Sequence, residues 1–143
     1  MSEEELIEKH KDILDLRGGY GMNCWEGWYG IIDDMLDTIS NGVHINTKLR
    51  ARFGAVDGKT GNIKVVQIKE KFGALRVYIE PYDVYTQGII DMAETVSKHT
   101  CERCGKPGEL WSVGWSKTLC LDHYSARKLE LAVKKKNELK SLT

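Results

Sequence analysis

Cys101, Cys104, Cys120 and His123 fall in two pairs, each with two residues between its members, and fifteen residues separate the pairs. Thiolate and imidazole are the donors that Zn²⁺ prefers, and two short chelating pairs joined by a longer loop close a tetrahedron without straining the backbone. Gly105 directly follows the second thiolate, where a metal-binding knuckle must turn sharply. The quartet therefore reads as a structural zinc site. The competing readings are reduced, part-buried thiols beside a surface histidine, or a disulfide framework, which leaves His123 without a role.

A chain of 143 residues holds one ordinary domain plus a small appended module. Its 41% apolar and 29% charged residues are typical of a soluble globular protein. The 21 basic and 21 acidic side chains cancel, so any argument for nucleic acid must rest on local charge distribution. There is no run of eighteen apolar residues, and the start Met1-Ser2-Glu3-Glu4-Glu5 is acidic where a signal peptide is basic. The expectation is a cytoplasmic protein, in whatever cell makes it, with no membrane contact. Three of four cysteines in a metal pattern suit a reducing compartment.

Ser2 and Glu5 have capping-box spacing, and Leu6, Ile7, His10, Ile13 and Leu14 follow at helical intervals, which predicts a first helix to about Leu16. A second helix begins at Trp25, with Trp28, Ile31, Ile32, Met35, Leu36 and Ile39 on one stripe, and Asn41-Gly42 as its stop. Residues 43–62 read as an irregular connection with one short turn of helix around Thr47 to Phe53. Residues 63–80 predict a β-hairpin turning at Lys71-Phe72-Gly73, with Leu75, Val77 and Ile79 on one face and Arg76, Tyr78 and Glu80 on the other. Asp83 caps a helix over 83–98, with Tyr85, Ile89, Met92, Ala93 and Val96 along one face. The fold class is α+β: helices packed on a hairpin in residues 1–99, followed by a zinc-binding module in 100–143.

In that module the knuckle precedes a short hairpin, Leu110–Trp115 with Lys117–Leu119. Cys120 and His123 then share one face at the start of a last helix running towards Leu139. This arrangement resembles a treble-clef zinc finger. The chain also resembles a family of small bacterial, prophage and phage proteins that carry a zinc finger. That resemblance rests on Cys24-Trp25-Glu26-Gly27-Trp28-Tyr29, on Ile68 to Tyr78 with its Lys-Glu-Lys-Phe-Gly core, and on Cys101-Glu-Arg-Cys104-Gly-Lys-Pro-Gly108 with Thr118-Leu-Cys120-Leu-Asp-His123. It implies a bacterial or phage origin and supports the zinc site. It implies no substrate and no catalytic residue.

Catalytic zinc keeps an open position for water, whereas three thiolates and one imidazole form a closed shell. A zinc deaminase needs a His-x-Glu and a Pro-Cys-x-x-Cys pair, and here Thr100 precedes Cys101 and no His-x-Glu occurs. Asp122-His123 echoes an HNH nuclease, but the zinc uses His123 and the further asparagine and histidine are missing. No phosphate loop, nucleophile elbow or zincin motif is present. The reading leans to a non-enzyme.

Two surfaces are candidates for recognition. Residues 101–143 hold nine Lys/Arg against five Asp/Glu, about +4, against about −4 for the first hundred. Arg127, Lys128, Lys134 and Lys135 can form a phosphate-facing patch, with Trp111 and Trp115 as stacking platforms or as a small core around the metal. On the hairpin's outer face Lys69, Lys71, Arg76 and Tyr78 can converge beside the Trp25/Trp28 segment to hold a phosphate or an acidic partner, or can simply pair with Glu70 and Glu80. Cys24 reads as a small buried residue without an activator. The resulting expectation is a non-enzymatic zinc protein that recognises a host or phage protein. Nucleic-acid binding is one alternative, and a nucleotide-like phosphorylated ligand is the other.

Overall fold

The Ser2/Glu5 capping box forms: Glu5 N–H donates to Ser2 Oγ at 3.2 Å and Ser2 N–H to Glu5 Oε2 at 2.7 Å. The helix it starts is shorter than its periodicity implies. A computed structural model describes residues 1–18, 21–45, 63–112 and 114–143, and α1 covers Glu3–Lys9 alone. Beyond His10 the backbone turns, and residues 13–17 pair with a strand instead: Val65 N–H donates to Ile13 O at 2.8 Å and Asp15 N–H to Val65 O at 2.9 Å. Ile13 still reaches the core at 6% exposure. Pairing with an open strand edge has outweighed local helical preference.

A 3₁₀ turn at Glu26–Trp28 leads into α2, Tyr29–Ile45. Trp28, Ile32, Met35, Leu36 and Ile39 are buried, as the stripe predicts. Asn41-Gly42 does not stop this helix. Gly42 is a site of close packing, since a Cβ there would lie 2.7 Å from the Tyr85 ring. The helical turn expected at Thr47 to Phe53 lies outside the described residues.

Strands β1 (Lys64–Lys71) and β2 (Ala74–Glu80) form the expected antiparallel hairpin, with Lys71 opposite Ala74 and an irregularity between Val65 and Gln67. Phe72 and Gly73 make the turn with φ of 54° and 78°, the double left-handed geometry that matches strand twist in a two-residue hairpin. Leu75 and Val77 are buried, while Arg76, Tyr78 and Glu80 lie on the other side.

Asp83 caps α3 (Val84–Ser97) by accepting from Thr86 N–H at 3.0 Å. The buried face overlaps the one its apolar residues mark only at Ala93 and the part-buried Ile89. Thr86, Ile90, Ala93 and Ser97 face inward, while Tyr85, Met92 and Val96 line an open groove against α2. The outer edge of β2 explains this rotation. Leu75 N–H donates to Ser97 Oγ at 2.9 Å and Val77 N–H to the Glu94 carboxylate at 3.2 Å, so the helix presents its polar acceptors to strand amides that otherwise have no partner.

Strands β3 (Glu109–Trp111) and β4 (Lys117–Leu119) pair antiparallel, and α4 runs over Leu121–Ser141 with Cys120 at its N-cap. The described residues thus form an α+β fold of four helices and two small hairpins. Its core joins Leu6 of α1, the α2 stripe, Val65 and Ile68 of β1, Leu75 and Val77 of β2, and Ile90 of α3. Each such large side chain contributes roughly 1.5–3 kcal/mol on burial. No helix among the described residues is long and apolar enough to cross a membrane.

Candidate metal centre and the adjoining cleft

The four predicted ligands meet: Cys101, Cys104, Cys120 and His123 place their ligand atoms within 4.8 Å of one another. Cys120 Sγ lies 3.3 Å and Cys101 Sγ 3.5 Å from His123 Nδ1, and Cys104 Sγ is 3.8 Å from Cys120 Sγ. Cys101 is buried and Cys104 exposed. The knuckle closes through Gly105 N–H to Cys101 O at 2.9 Å and Cys101 N–H to Lys106 O at 2.7 Å, with Gly105 at φ 75°.

Backbone electrostatics prepare the first thiolate. Burial pushes the Cys101 thiol up, but N–H groups of Cys120, Cys104 and Arg103 outweigh it and hold the thiol below its ordinary value. Cys104 is pushed up, by burial and then by the sulfurs of Cys101 and Cys120. Sulfurs crowded in this way favour a shared cation, and the donor set suits a metal ion.

The centre is seated on the body of the protein, and Glu102 is the hub. Although it lies between two ligands, it is 1% exposed. Its N–H donates to Thr118 O at 2.9 Å, its carbonyl accepts from Gly27 N–H at 2.8 Å, and its carboxylate meets Lys117 Nζ at 3.1 Å. Lys117 also reaches Glu70 Oε2 of β1 at 2.8 Å. Burial raises the Glu102 carboxyl above its ordinary range, partly offset by Lys117. Nearby, Trp28 Nε1 donates to Thr100 O at 2.8 Å, and Trp25 has the Arg103 guanidinium 4.1 Å and Lys117 Nζ 4.9 Å from its ring.

Gly27 is where the knuckle touches the 3₁₀ turn. A Cβ there would lie 2.6 Å from Cys104 N and closer still to the carbonyl oxygens of Cys101 and Glu102. These are backbone atoms that cannot swing aside. Gly27→Ala is expected to cost about 3 kcal/mol and to weaken metal retention against a competing chelator. Gly30→Ala, where nothing lies within 4 Å of the added carbon, is the matched control and is expected to leave metal retention unchanged. Equal behaviour of the two variants in thermal melts would contradict this seating.

No family model, no curated protein and no solved structure matches this chain.

The candidate recognition residues separate into three places. Lys69, Arg76 and Tyr78 share the outer face of the hairpin, with Lys69 Nζ 5.3 Å from the Tyr78 ring centroid. The ion pairs there are not those expected: Arg76 pairs with Glu94 at 3.4 Å, Glu80 with Arg17 at 2.6 Å, and Glu70 with Lys117. Nor does the Trp25/Trp28 segment join this face, since Trp28 is fully buried and Trp25 packs at the knuckle. Lys71 and Arg127 instead line a cleft with Phe72, Trp115 and Lys117. Lys128, Lys134 and Lys135 are exposed along α4, which buries no residue.

The two module tryptophans differ. Trp111 stacks on Tyr124 at 3.8 Å and donates through Nε1 to Leu119 O at 3.0 Å, so it belongs to the module's core. Trp115 is 80% exposed. Burial, with Glu102 and Glu3 nearby, pushes the Cys24 thiol up to about 12, which removes it as a nucleophile near neutral pH.

His10, Asp33 and Asp37 form a second set with ligand atoms this close. A cation of the chain itself already serves that set: Lys9 Nζ lies 2.7 Å from Asp33 Oδ1 and 2.9 Å from Asp37 Oδ2. Burial pushes the Asp33 carboxyl up, but hydrogen bonds from Lys9 and His10 hold it below its ordinary range. The set locks α1 to α2.

Proposed function

We propose that this chain is a non-enzymatic, zinc-ordered recognition protein. The observation that carries the reading is the use of the only carboxylate inside the knuckle: Glu102 turns to Lys117 and serves packing. Three sulfurs and a ring nitrogen then make a closed structural shell, the donor set that zinc favours. The order of knuckle, hairpin and ligand-bearing helix supports a treble-clef-like zinc finger. With the ligands committed to structure, the exposed surface of the module and the hairpin is left for binding a macromolecule. The family resemblance supports a bacterial or phage setting, in which the protein regulates or inhibits host machinery.

The test is to convert the imidazole ligand to a fourth thiolate. Four cysteines also form a closed zinc shell, so His123→Cys is expected to keep one zinc per chain by elemental analysis and a melting temperature within a few degrees of the parent. Purified parent protein without stoichiometric zinc would overturn the reading.

A further inference from the structure

The tip of the β1–β2 hairpin, from Glu70 to Phe72, and residues 115–117 and Arg127 of the module line a cleft of about 500 Å³. Two large aromatic rings stand open there, Phe72 at 68% and Trp115 at 80% exposure. Phe72 holds a left-handed φ of 54°, in a turn position where asparagine or glycine is far better suited. A bulky ring exposed at a strained backbone position marks a site held for use, since neither folding nor solubility favours it. The tip is also fixed from two sides: Gly73 N–H donates to Glu70 Oε1 at 2.6 Å, and Gly73 O accepts from the Thr118 hydroxyl.

Cations accompany the rings. Lys71 Nζ lies 5.6 Å from the Phe72 centroid, and Arg127 Nη2 donates to Trp115 O at 3.4 Å. Lys117 is committed to Glu70 and Glu102 and Arg127 is engaged within the module, so Lys71 is the cation that the tip turns towards a ligand, with the Arg127 charge adding to the lining of the cleft. Arg127 opens a basic face that continues through Lys128, Lys134 and Lys135, which lie within about 120° of one another around α4, whereas Lys136 and Lys140 fall on the opposite side. A free nucleotide has no use for charges spread along a helix that rises about 1.5 Å per residue, but a polyanion does.

We infer that this cleft binds single-stranded nucleic acid, with unpaired bases on Phe72 and Trp115 and phosphates on Lys71, Arg127 and the α4 lysines. Stacking needs bases that are not already paired, which excludes a duplex from the rings. The inference rests on the reading of the chain as a recognition protein and names its partner class, and it favours nucleic acid over a protein partner.

The test uses metal-loaded full-length protein and fluorescence anisotropy with labelled oligothymidine, oligouridine and a DNA duplex across a salt series. Single strands are expected to bind more tightly than the duplex, with Trp115 emission quenched on binding. Phe72→Asn suits the turn while removing the ring, and Phe72→Asn and Trp115→Ala are each expected to weaken binding about tenfold. Lys71→Ala and Arg127→Ala are each expected to reduce the slope of log affinity against log salt by about 0.7. Equal affinity for duplex and single strand, or indifference to both ring variants, would overturn the inference. Absence of any nucleic-acid binding by zinc-loaded, folded protein would also overturn it while leaving the recognition reading standing; absence of zinc would remove the reading beneath it.

Discussion

Chelating the metal is expected to destabilise far more than the module that holds it. Ties run from the module into the 3₁₀ turn and the main hairpin: Glu102 O to Gly27 N–H, Thr100 O to Trp28 Nε1, Thr118 Oγ1 to Gly73 O, and Lys117 to Glu70 of β1. Trp28 is fully buried in the main core, so its carbonyl partner is part of how α2 begins. Structural zinc contributes roughly 10–16 kcal/mol in isolated finger peptides. If only about 5 kcal/mol of this reaches the whole chain, the melting temperature falls by roughly 15–20 °C. Scanning calorimetry with and without a strong chelator checks it, together with Cys104→Ser, whose ligand is exposed and whose loss opens no core cavity. A melting temperature unchanged by complete metal removal would show that the cluster does not hold the fold.

The clustering of Cys101, Cys104, Cys120 and His123 was legible in the sequence because chelate spacing is a local property: two residues between partners fix a knuckle or one helical face wherever the chain goes. The same holds for the hairpin and for the α2 stripe, whose alternation and period survive into the fold. What failed depended on contacts between distant segments. Helix α1 ends at Lys9 because residues 13–17 find the edge of β1, and α3 turns its Tyr85 and Met92 outward because Ser97 and Glu94 are needed by β2 amides. Asn41-Gly42 carries a stop signal that packing against Tyr85 overrides.

At the site, the hub was hidden for a related reason. Glu102 reads as one more surface charge in a basic module until Lys117 and Glu70 arrive beside it from other strands. Gly27 likewise carries no pattern of its own, and its role appears only when the knuckle backbone is seen against it. The one available signal for both was a charged residue between two ligands and a glycine between two tryptophans, positions where local structure asks for neither.

Lys117→Met is expected to be among the most damaging single changes outside the ligands. Lys117 is 14% exposed and sits between Glu70 and Glu102, which are 17% and 1% exposed. Methionine keeps the length of the side chain, so packing is largely retained and the loss is electrostatic. Two carboxylates then face each other without a cation, one of them buried, and removing one partner of a buried ion pair costs about 3–5 kcal/mol. Lys117→Arg, which keeps the charge, is expected to lose much less. The decisive comparison adds Glu70→Gln and Glu102→Gln to the methionine variant. An uncharged triad removes the repulsion, so urea unfolding should recover most of the lost stability. If the triple variant is no more stable than Lys117→Met alone, the loss comes from packing rather than from unpaired charge.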